Sequence, residues 1–332
     1  MRFLPDAEQR EFARSLDGML AESHTPGVVR AWAGGDHGPG RALWARLADA
    51  GVLALAVPEK HGGLGPLPVE LTVACTELGR HAVPGPLAES VAAAALLARL
   101  DSPRAFSWLS RIAAGTALVS LCAPAGGSPY ALDPDTADAV FVVDGDTVRL
   151  AREHGPLQPS ADPARRLARP VGGAVLARGP EATAAAAHAV DVAALATAAQ
   201  ALGLGRALLA RTVEHVRRRT QFGVAVGSFQ AVKHRLADTL LALEFAQPLL
   251  SAAALALQAG DPAAGAAIAA AKVTAGEAAH TAARTALHLH GALGYTEEFD
   301  LSLWIRKARP LRDAWGTPAV CRARVLAAGA PG

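Results

Sequence analysis

The feature that most limits the fold is the run from Glu181 to the C-terminus, which reads as long helices with very short links. One helix is expected from about Ala182 to Arg219, and a second from about Ser228 to Ala259. Phe229, Val232, Leu236, Leu240 and Leu243 share one face of the second at helical spacing. Gly260-Asp261-Pro262 stops it and caps a third, because Asp accepts backbone N–H bonds and Pro is tolerated in a first helical turn. The third ends near His290, and a fourth follows Asp300 with a break at Pro310. Pro248, inside the second helix, should kink it. Four long helices with short links predict an antiparallel bundle. Composition agrees: hydrophobic residues reach 51% while aromatics supply only 5%, so Ala, the best helix former, fills most of the difference.

The region before Gly115 is also helical, with glycine-rich turns at residues 34–40 and 62–66 and apolar Leu43, Leu47, Val52 and Leu53 close to helical spacing. Between about Gly115 and Pro180 the texture changes. Short apolar runs (Ala117 to Cys122, Ala139 to Val143, Thr147 to Leu150, Ala174 to Leu176) alternate with Pro, Gly and Asp, the pattern of a small β region. Asp144-Gly145-Asp146 marks a hairpin within it. The chain is therefore expected to be mainly α with a small β region: a helical domain over 1–113, a β domain over 114–180 and a helical bundle over 181–332.

With 32 basic and 30 acidic side chains the net charge is only +2, so no broad field gathers nucleic acid or an anionic membrane. Cys75, Cys122 and Cys321 are scattered and odd in number, which fits neither a disulfide framework nor a zinc site. The charged N-terminus lacks a signal core, and apolar stretches such as Ala263 to Ala271 are interrupted within a bilayer's length. A soluble, cytoplasmic chain without a membrane span is expected.

Three motifs carry chemistry. Leu47 to Gly65 ends in Pro58-Glu59-Lys60-His61-Gly62-Gly63-Leu64-Gly65, followed by Glu77-Leu78-Gly79-Arg80 and Pro84-Gly85-Pro86. Arg217-Arg218-Arg219-Thr220-Gln221-Phe222-Gly223 precedes Phe229-Gln230. On its residues alone, this second motif is a helix end with Arg near the negative pole of the dipole. About 70 residues later comes His288-Leu289-His290-Gly291-Ala292-Leu293-Gly294-Tyr295-Thr296, where small residues let backbone approach a phosphate or adenosine; helix-end capping is the plainer account of its histidines. In this order the three resemble the acyl-CoA dehydrogenases: an N-terminal "P-E-x-x-G-G-x-G" turn, an "R-x-x-F-G…Q" segment and a "Q-x-H-G-G-x-G-F/Y-T" stretch. The resemblance implies that Arg219 pairs with the pyrophosphate of an FAD held by a neighbouring subunit. It implies too that Gln221, Phe222, Gln230, His288 and Gly291 line that cofactor. Here His288 replaces the common Gln, and Ala292 the second Gly.

Two departures matter. The family removes the α-proton of an acyl thioester with a carboxylate, usually in a "Y-E-G-T" segment; here Asp313-Ala314-Trp315-Gly316-Thr317 puts Trp315 in its place. An alternative slot used by some members falls at about Ala193. Asp191, Asp313, Glu297 and Glu298 are the substitute acids in reach along the sequence; Asp313, two positions from the slot, is turned about 200° away on a helix. Trp315 itself is expected to fill space and block the thioester end of the chain's own cleft. The middle region, about 65 residues, is roughly half the family's usual β domain and lacks segments that normally hold the flavin ring.

The resemblance is thus to the short partner subunit of heterotetrameric acyl-CoA dehydrogenases, which act on bulky acyl-CoA substrates including steroid side chains. It implies a flavin-dependent α,β-desaturation in which this chain, inactive alone, completes the FAD site of a full-length catalytic subunit. Two other readings stay open: an altered-chemistry flavoprotein using Asp313 or Asp191, and a non-redox acyl-CoA-binding scaffold.

Overall fold

The computed structural model describes residues 4–329 with the exception of residue 101. Six helices come first: α1 (Ala7–Glu22), α2 (Thr25–Ala33), α3 (Gly38–Asp49), α4 (Pro68–Arg80), α5 (Leu87–Leu97) and α6 (Pro103–Ala113). Local chemistry sets the first of them. Asp6 accepts from Gln9 N at 2.8 Å while Gln9 Oε1 accepts from Asp6 N at 3.0 Å, a reciprocal cap.

The β region has eight short strands: β1 (Val119–Cys122), β2 (Ala131–Leu132), β3 (Ala139–Asp144), β4 (Thr147–Leu150), β5 (Glu153–His154), β6 (Leu167–Ala168), β7 (Pro170–Val171) and β8 (Ala174–Arg178). Four of them form one sheet in the order β1-β3-β4-β8, with β1 parallel to β3 and the other pairs antiparallel. The expected hairpin is there: Asp144 pairs with Thr147 across a two-residue turn, with Gly145 at φ 59°. Asp133, fully buried, accepts from Trp32 Nε1 at 3.1 Å and from Arg166 N at 3.0 Å, which ties the β region to α2.

The remainder is α7 (Pro180–Arg218), a small hairpin of β9 (Thr220–Gln221) and β10 (Val224–Ala225), then α8 (Gln230–Gln258), α9 (Ala264–His290), α10 (Leu301–Asp313) and α11 (Pro318–Gly329). Helix α7 is apolar nearly all round because it is the central helix, packed by α4 and α5 on one side and by α8, α9 and α10 on the other. Alanine and glycine allow the close crossing. A Cβ at Gly203 would lie 1.8 Å from Thr76 O, and one at Gly79 would lie 2.0 Å from Gln200 O, so α4 and α7 touch backbone to backbone.

Three expectations need correction. The fourth bundle helix is not broken at Pro310, which sits inside α10; the break falls at residues 314–317, between α10 and α11. Asp261 does not cap α9 directly; it accepts from Ala263 N at 2.8 Å in the turn before the helix. The buried line of α8 runs through Thr239, Leu243, Ala246 and Leu250, whereas Leu240 lies outside with Leu241, Phe245 and Leu249. Helix α8 is one continuous helix through Pro248. By length and composition alone α7 and α8 are long and apolar enough to cross a bilayer; α7 is almost wholly buried in the protein, whereas α8 leaves most of its apolar length uncovered.

Candidate functional site

Two clefts collect the residues singled out above. The first lies at the end of the bundle where α7 stops. Its C-terminal turn carries the basic run, placed where cations meet the negative pole of the helix. Arg211, Arg218, Arg219, His215 and His290 line a cleft of about 580 Å³ together with Glu214, Glu298, Phe299 and Asp300. Glu214 is occupied by Arg218 and Asp300 by Arg30, at 2.6 Å. Arg211 stacks on Trp304 at 3.9 Å, and among the described residues neither it nor Arg219 has a carboxylate in ion-pair contact. His215 and His290 stack at 4.0 Å, and burial lowers the pKa of both, so the pair is neutral near neutral pH. The cleft thus keeps two free guanidinium groups, suited to a phosphate or pyrophosphate.

The hairpin beyond Arg219 is built on a two-residue turn whose central residues, Phe222 and Gly223, both have positive φ, at 55° and 78°. Glycine adopts this freely; for phenylalanine it costs about 1–3 kcal/mol. The strained tip holds the Phe222 ring 92% exposed, edge-on to Phe229 at 6.3 Å. Gln221 stands on β9 with its amide donating to Thr220 O at 2.9 Å, Gln230 opens α8 on the surface, His288 is exposed in the last turn of α9, and Gly291 ends that helix at φ 60°. Arg219, Gln221, Phe222, Gln230, His288 and Gly291 therefore all belong to the segments that end or begin α7, α8 and α9, and they face outward. Among the described residues none covers Phe222. Of the six motif residues only Arg219 lines the cleft, joined there by His290, for which the motif suggested no more than helix-end capping.

The second cleft, of about 320 Å³, lies between the β region and the α10–α11 turn, lined among others by Glu89, Leu121, Gly126, Ser128, Arg165, Asp313 and Trp315. Trp315 sits at its floor, 9% exposed and in the left-handed region at φ 55°. Its indole Nε1 donates to Glu89 Oε1 at 2.9 Å. A Cβ on Gly126 would lie 2.6 Å from the Trp315 ring, so this glycine leaves the room the indole fills. The turn that seats Trp315 is fixed by Lys272, fully buried in α9, whose Nζ donates to the carbonyls of Leu311 (3.0 Å), Arg312 (2.8 Å) and Gly316 (3.3 Å).

The acids weighed from the sequence fall apart in space. Ala193 is fully buried in α7, and Asp191 pairs with Arg324 at 2.7 Å away from this cleft. Glu297 is held by Arg306 at 2.8 Å on the surface, and Glu298 lines the basic cleft instead. Asp313 does reach the second cleft, paired with Arg312 at 2.9 Å. The helical-wheel argument that turned it away fails because α10 ends at Asp313 and Ala314 is already extended. The carboxylate that sequence reasoning missed is Glu89, 4% exposed in α5. Its signal was an acid in the first turn of an otherwise apolar run, Leu87 to Leu97, too short a pattern to be told from an ordinary helix start.

An FAD fits only part of this chain. The basic cleft and the outward hairpin suit its diphosphate and the edge of a ring system, whereas beside Gly126 the indole of Trp315 already takes the space in the chain's own β-region cleft.

The same order of parts is found in known proteins. The sequence matches the description "Acyl-CoA dehydrogenase, N-terminal domain" over residues 6–116 and "Acyl-CoA dehydrogenase, C-terminal domain" over residues 183–330. It is 33% identical over 304 residues to "Acyl-CoA dehydrogenase IpdE2" of Mycobacterium tuberculosis, covering 91% of each chain. A chain of the ChsE4-ChsE5 complex from the same organism superposes with a TM-score of 0.86 at 25% identity, over the full length of both. The fold also matches a chain of the Tcur3481-Tcur3483 steroid ACAD, with a TM-score of 0.84 at 24% identity over 97% of this chain and 98% of that one. Helical ends, small sheet and bundle are thus shared along nearly the whole length, and the chain belongs to the acyl-CoA dehydrogenase family.

Proposed function

We propose that this chain is the non-catalytic subunit of a heteromeric acyl-CoA dehydrogenase and that its basic cleft completes the FAD site of a full-length partner. The observation that carries this reading is the outward constellation beside Arg219. A strained hairpin presents Phe222 almost fully exposed three residues beyond Arg219, which lines the cleft and has no carboxylate in ion-pair contact among the described residues. Arg219 grips the diphosphate, Gln221 and Phe222 lie against the cofactor, and Gln230, His288 and Gly291 finish the wall. When bound, FAD supplies the acceptor for the hydride leaving the acyl β-carbon. The proton at the α-carbon goes to a carboxylate of the partner, since this chain offers Trp315 there. The three segments, 1–113, 114–180 and 181–332, act as helical domain, reduced β domain and bundle, the last making the contact.

Association has its own support. Leu240, Leu241, Phe245 and Leu249 form an exposed apolar stripe along α8, which starts beside the hairpin. A stripe of this kind marks an interaction face, and continuity with the flavin-facing hairpin favours a protein partner over a bilayer. The related ChsE4-ChsE5 structure is described as a complex of two differently named chains. A bulky acyl-CoA, of the kind the steroid ACAD name indicates for that protein, is the substrate class proposed for the assembly.

Co-expression with a full-length acyl-CoA dehydrogenase subunit from the same organism, followed by visible spectroscopy, tests the proposal. Flavin bands at one FAD per pair of chains, lost in Arg219→Ala while the two chains still co-purify, are expected. Flavin retained in full by Arg219→Ala, or bound stoichiometrically by this chain alone, rules the role out.

A further inference from the structure

We propose that Asp17, Glu77 and His81 form a zinc site where α1 meets the C-terminal end of α4. The inference stands apart from the flavin role described above, because none of the three residues lines either cleft. The scattered cysteines take no part in it; the donors are one imidazole and two carboxylates.

Glu77 and His81 are four residues apart at the end of α4, and His81 N donates to Glu77 O at 3.1 Å, so both side chains lie on one face. Asp17 comes from α1, which packs against α4. One donor atom from each residue lies within 4.8 Å of the other two. Zinc holds nitrogen and carboxylate oxygen at about 2.0–2.2 Å, which sets tetrahedral donors roughly 3.4 Å apart, so shifts of about 1 Å close the site around an ion and a water. His81 Nε2, 2.7 Å from Asp17 Oδ1, is the ring atom turned to that point. A second observation points to a ligand. Glu77 is only 8% exposed, and its Oε2 has no hydrogen-bond partner among the described residues, a costly state for a buried carboxylate. Arg80 brings its Nε to 3.0 Å from that oxygen but out of hydrogen-bond alignment, so this Nε is left without a partner as well. Its side chain is 42% exposed and free to turn toward water. The long groove between α1 and α4 that reaches Glu77 also holds Glu70 and Arg206. Glu70 accepts from Gln9 Nε2 at 2.9 Å, and Arg206 pairs with Glu244 at 3.2 Å. The acids thus outweigh the cations left to them, and a divalent ion redresses the balance. One imidazole nitrogen with two carboxylates suits zinc better than calcium or magnesium, which take all-oxygen shells, and better than manganese, which binds such sets more weakly. Zinc there would tie α1 to the end of α4 that meets the α7 backbone and whose Arg80 carbonyl accepts from Trp304 Nε1 at 2.8 Å.

The test is calorimetric titration of zinc chloride into the full chain, in the assembly in which it purifies, after treatment with a chelator and dialysis. The wild type should take up a single zinc per chain. His81→Gln should weaken that binding by about a hundredfold, the upper end of what loss of even a supporting group costs. Asp17→Asn, at a half-exposed position, should weaken it by about tenfold. Glu77→Gln should act in the same direction; should it fail to fold, the other two variants carry the test. His154→Gln, on the exposed strand β5, should leave the affinity unchanged. No saturable uptake by the wild type, or an affinity unchanged in either His81→Gln or Asp17→Asn, would overturn the proposal. Manganese or magnesium bound more tightly than zinc would overturn the assignment of the metal.

Discussion

Lys272 offers the most quantitative test of how the Trp315 turn is held. Its ammonium satisfies three carbonyls at the end of α10 and just beyond, groups that a helix C-terminus leaves without partners. Lys272→Met keeps the aliphatic stem and deletes all three bonds. An orphaned buried polar group costs about 1–3 kcal/mol. The Arg312 carbonyl is only part-buried and recovers some water, so the sum should be about 3 kcal/mol at neutral pH. Burial also lowers the Lys272 pKa from 10.5 to about 8. Between those values the unfolded chain binds the proton and the folded chain does not, so this group makes stability rise with pH across that window and adds nothing below it. The rise is at most about 3 kcal/mol, and less in practice because the three carbonyls favour the ammonium that desolvation opposes. Urea unfolding followed by far-UV circular dichroism, at neutral pH and at about pH 9.5, measures both effects. The difference between wild type and Lys272→Met should be near 3 kcal/mol at neutral pH, and it should widen as pH rises, because only the wild type gains from deprotonation. A Met variant as stable as wild type at neutral pH would refute the claim that the ammonium holds the turn, and a gap that narrows with pH would refute the direction of the shift.

Three further outcomes follow from particular contacts. Gly203→Ala places a Cβ 1.8 Å from the Thr76 carbonyl, which is backbone and cannot swing aside; thermal unfolding should show a loss at or above the usual 1–3 kcal/mol of about one overpacked methyl. Burial pushes the thiols of Cys75 and Cys122 to about 12 and about 11 and raises that of Cys321. All three should therefore resist a thiol reagent in the native protein at mildly alkaline pH and react together in denaturant. Trp315→Glu would supply the carboxylate that the proposed function assigns to a partner and would set it against Glu89; we expect a chain less stable by about 3 kcal/mol and still without acyl-CoA oxidation of its own in a dye-reduction assay. Turnover appearing in that variant would mean that the chain's own cleft is competent.

Much of the architecture was legible because it is local. The Ala- and Leu-rich runs, the Gly-Asp-Pro stop after the second bundle helix and the Asp-Gly-Asp hairpin act over a few residues, and the observed α7, α8, α9 and β3–β4 follow them closely. The motif residues around Arg219 and Gly291 were likewise marked by their order along the chain. Where the sequence misled, a distant partner decided. Pro310 looked like a helix break, yet α10 continues through it and stops where Lys272, some 40 residues earlier, gathers its last carbonyls. Leu240 looked like core, but α8 is apolar on both sides, and its docking against α9, α7 and α4 selects Thr239, Leu243 and Ala246 as the inner line.

What the sequence by itself determined, then, is the helical or β character of the three regions and the family, since each is written in contiguous residues. Tertiary structure alone decided that Trp315 hydrogen-bonds a buried Glu89 lying 226 positions away, and that Arg211 and Arg219 share a cleft with His215 and His290. Those facts depend on how rigid helices pack across a close α4–α7 crossing, and no periodicity within either segment encodes where another segment will come to rest.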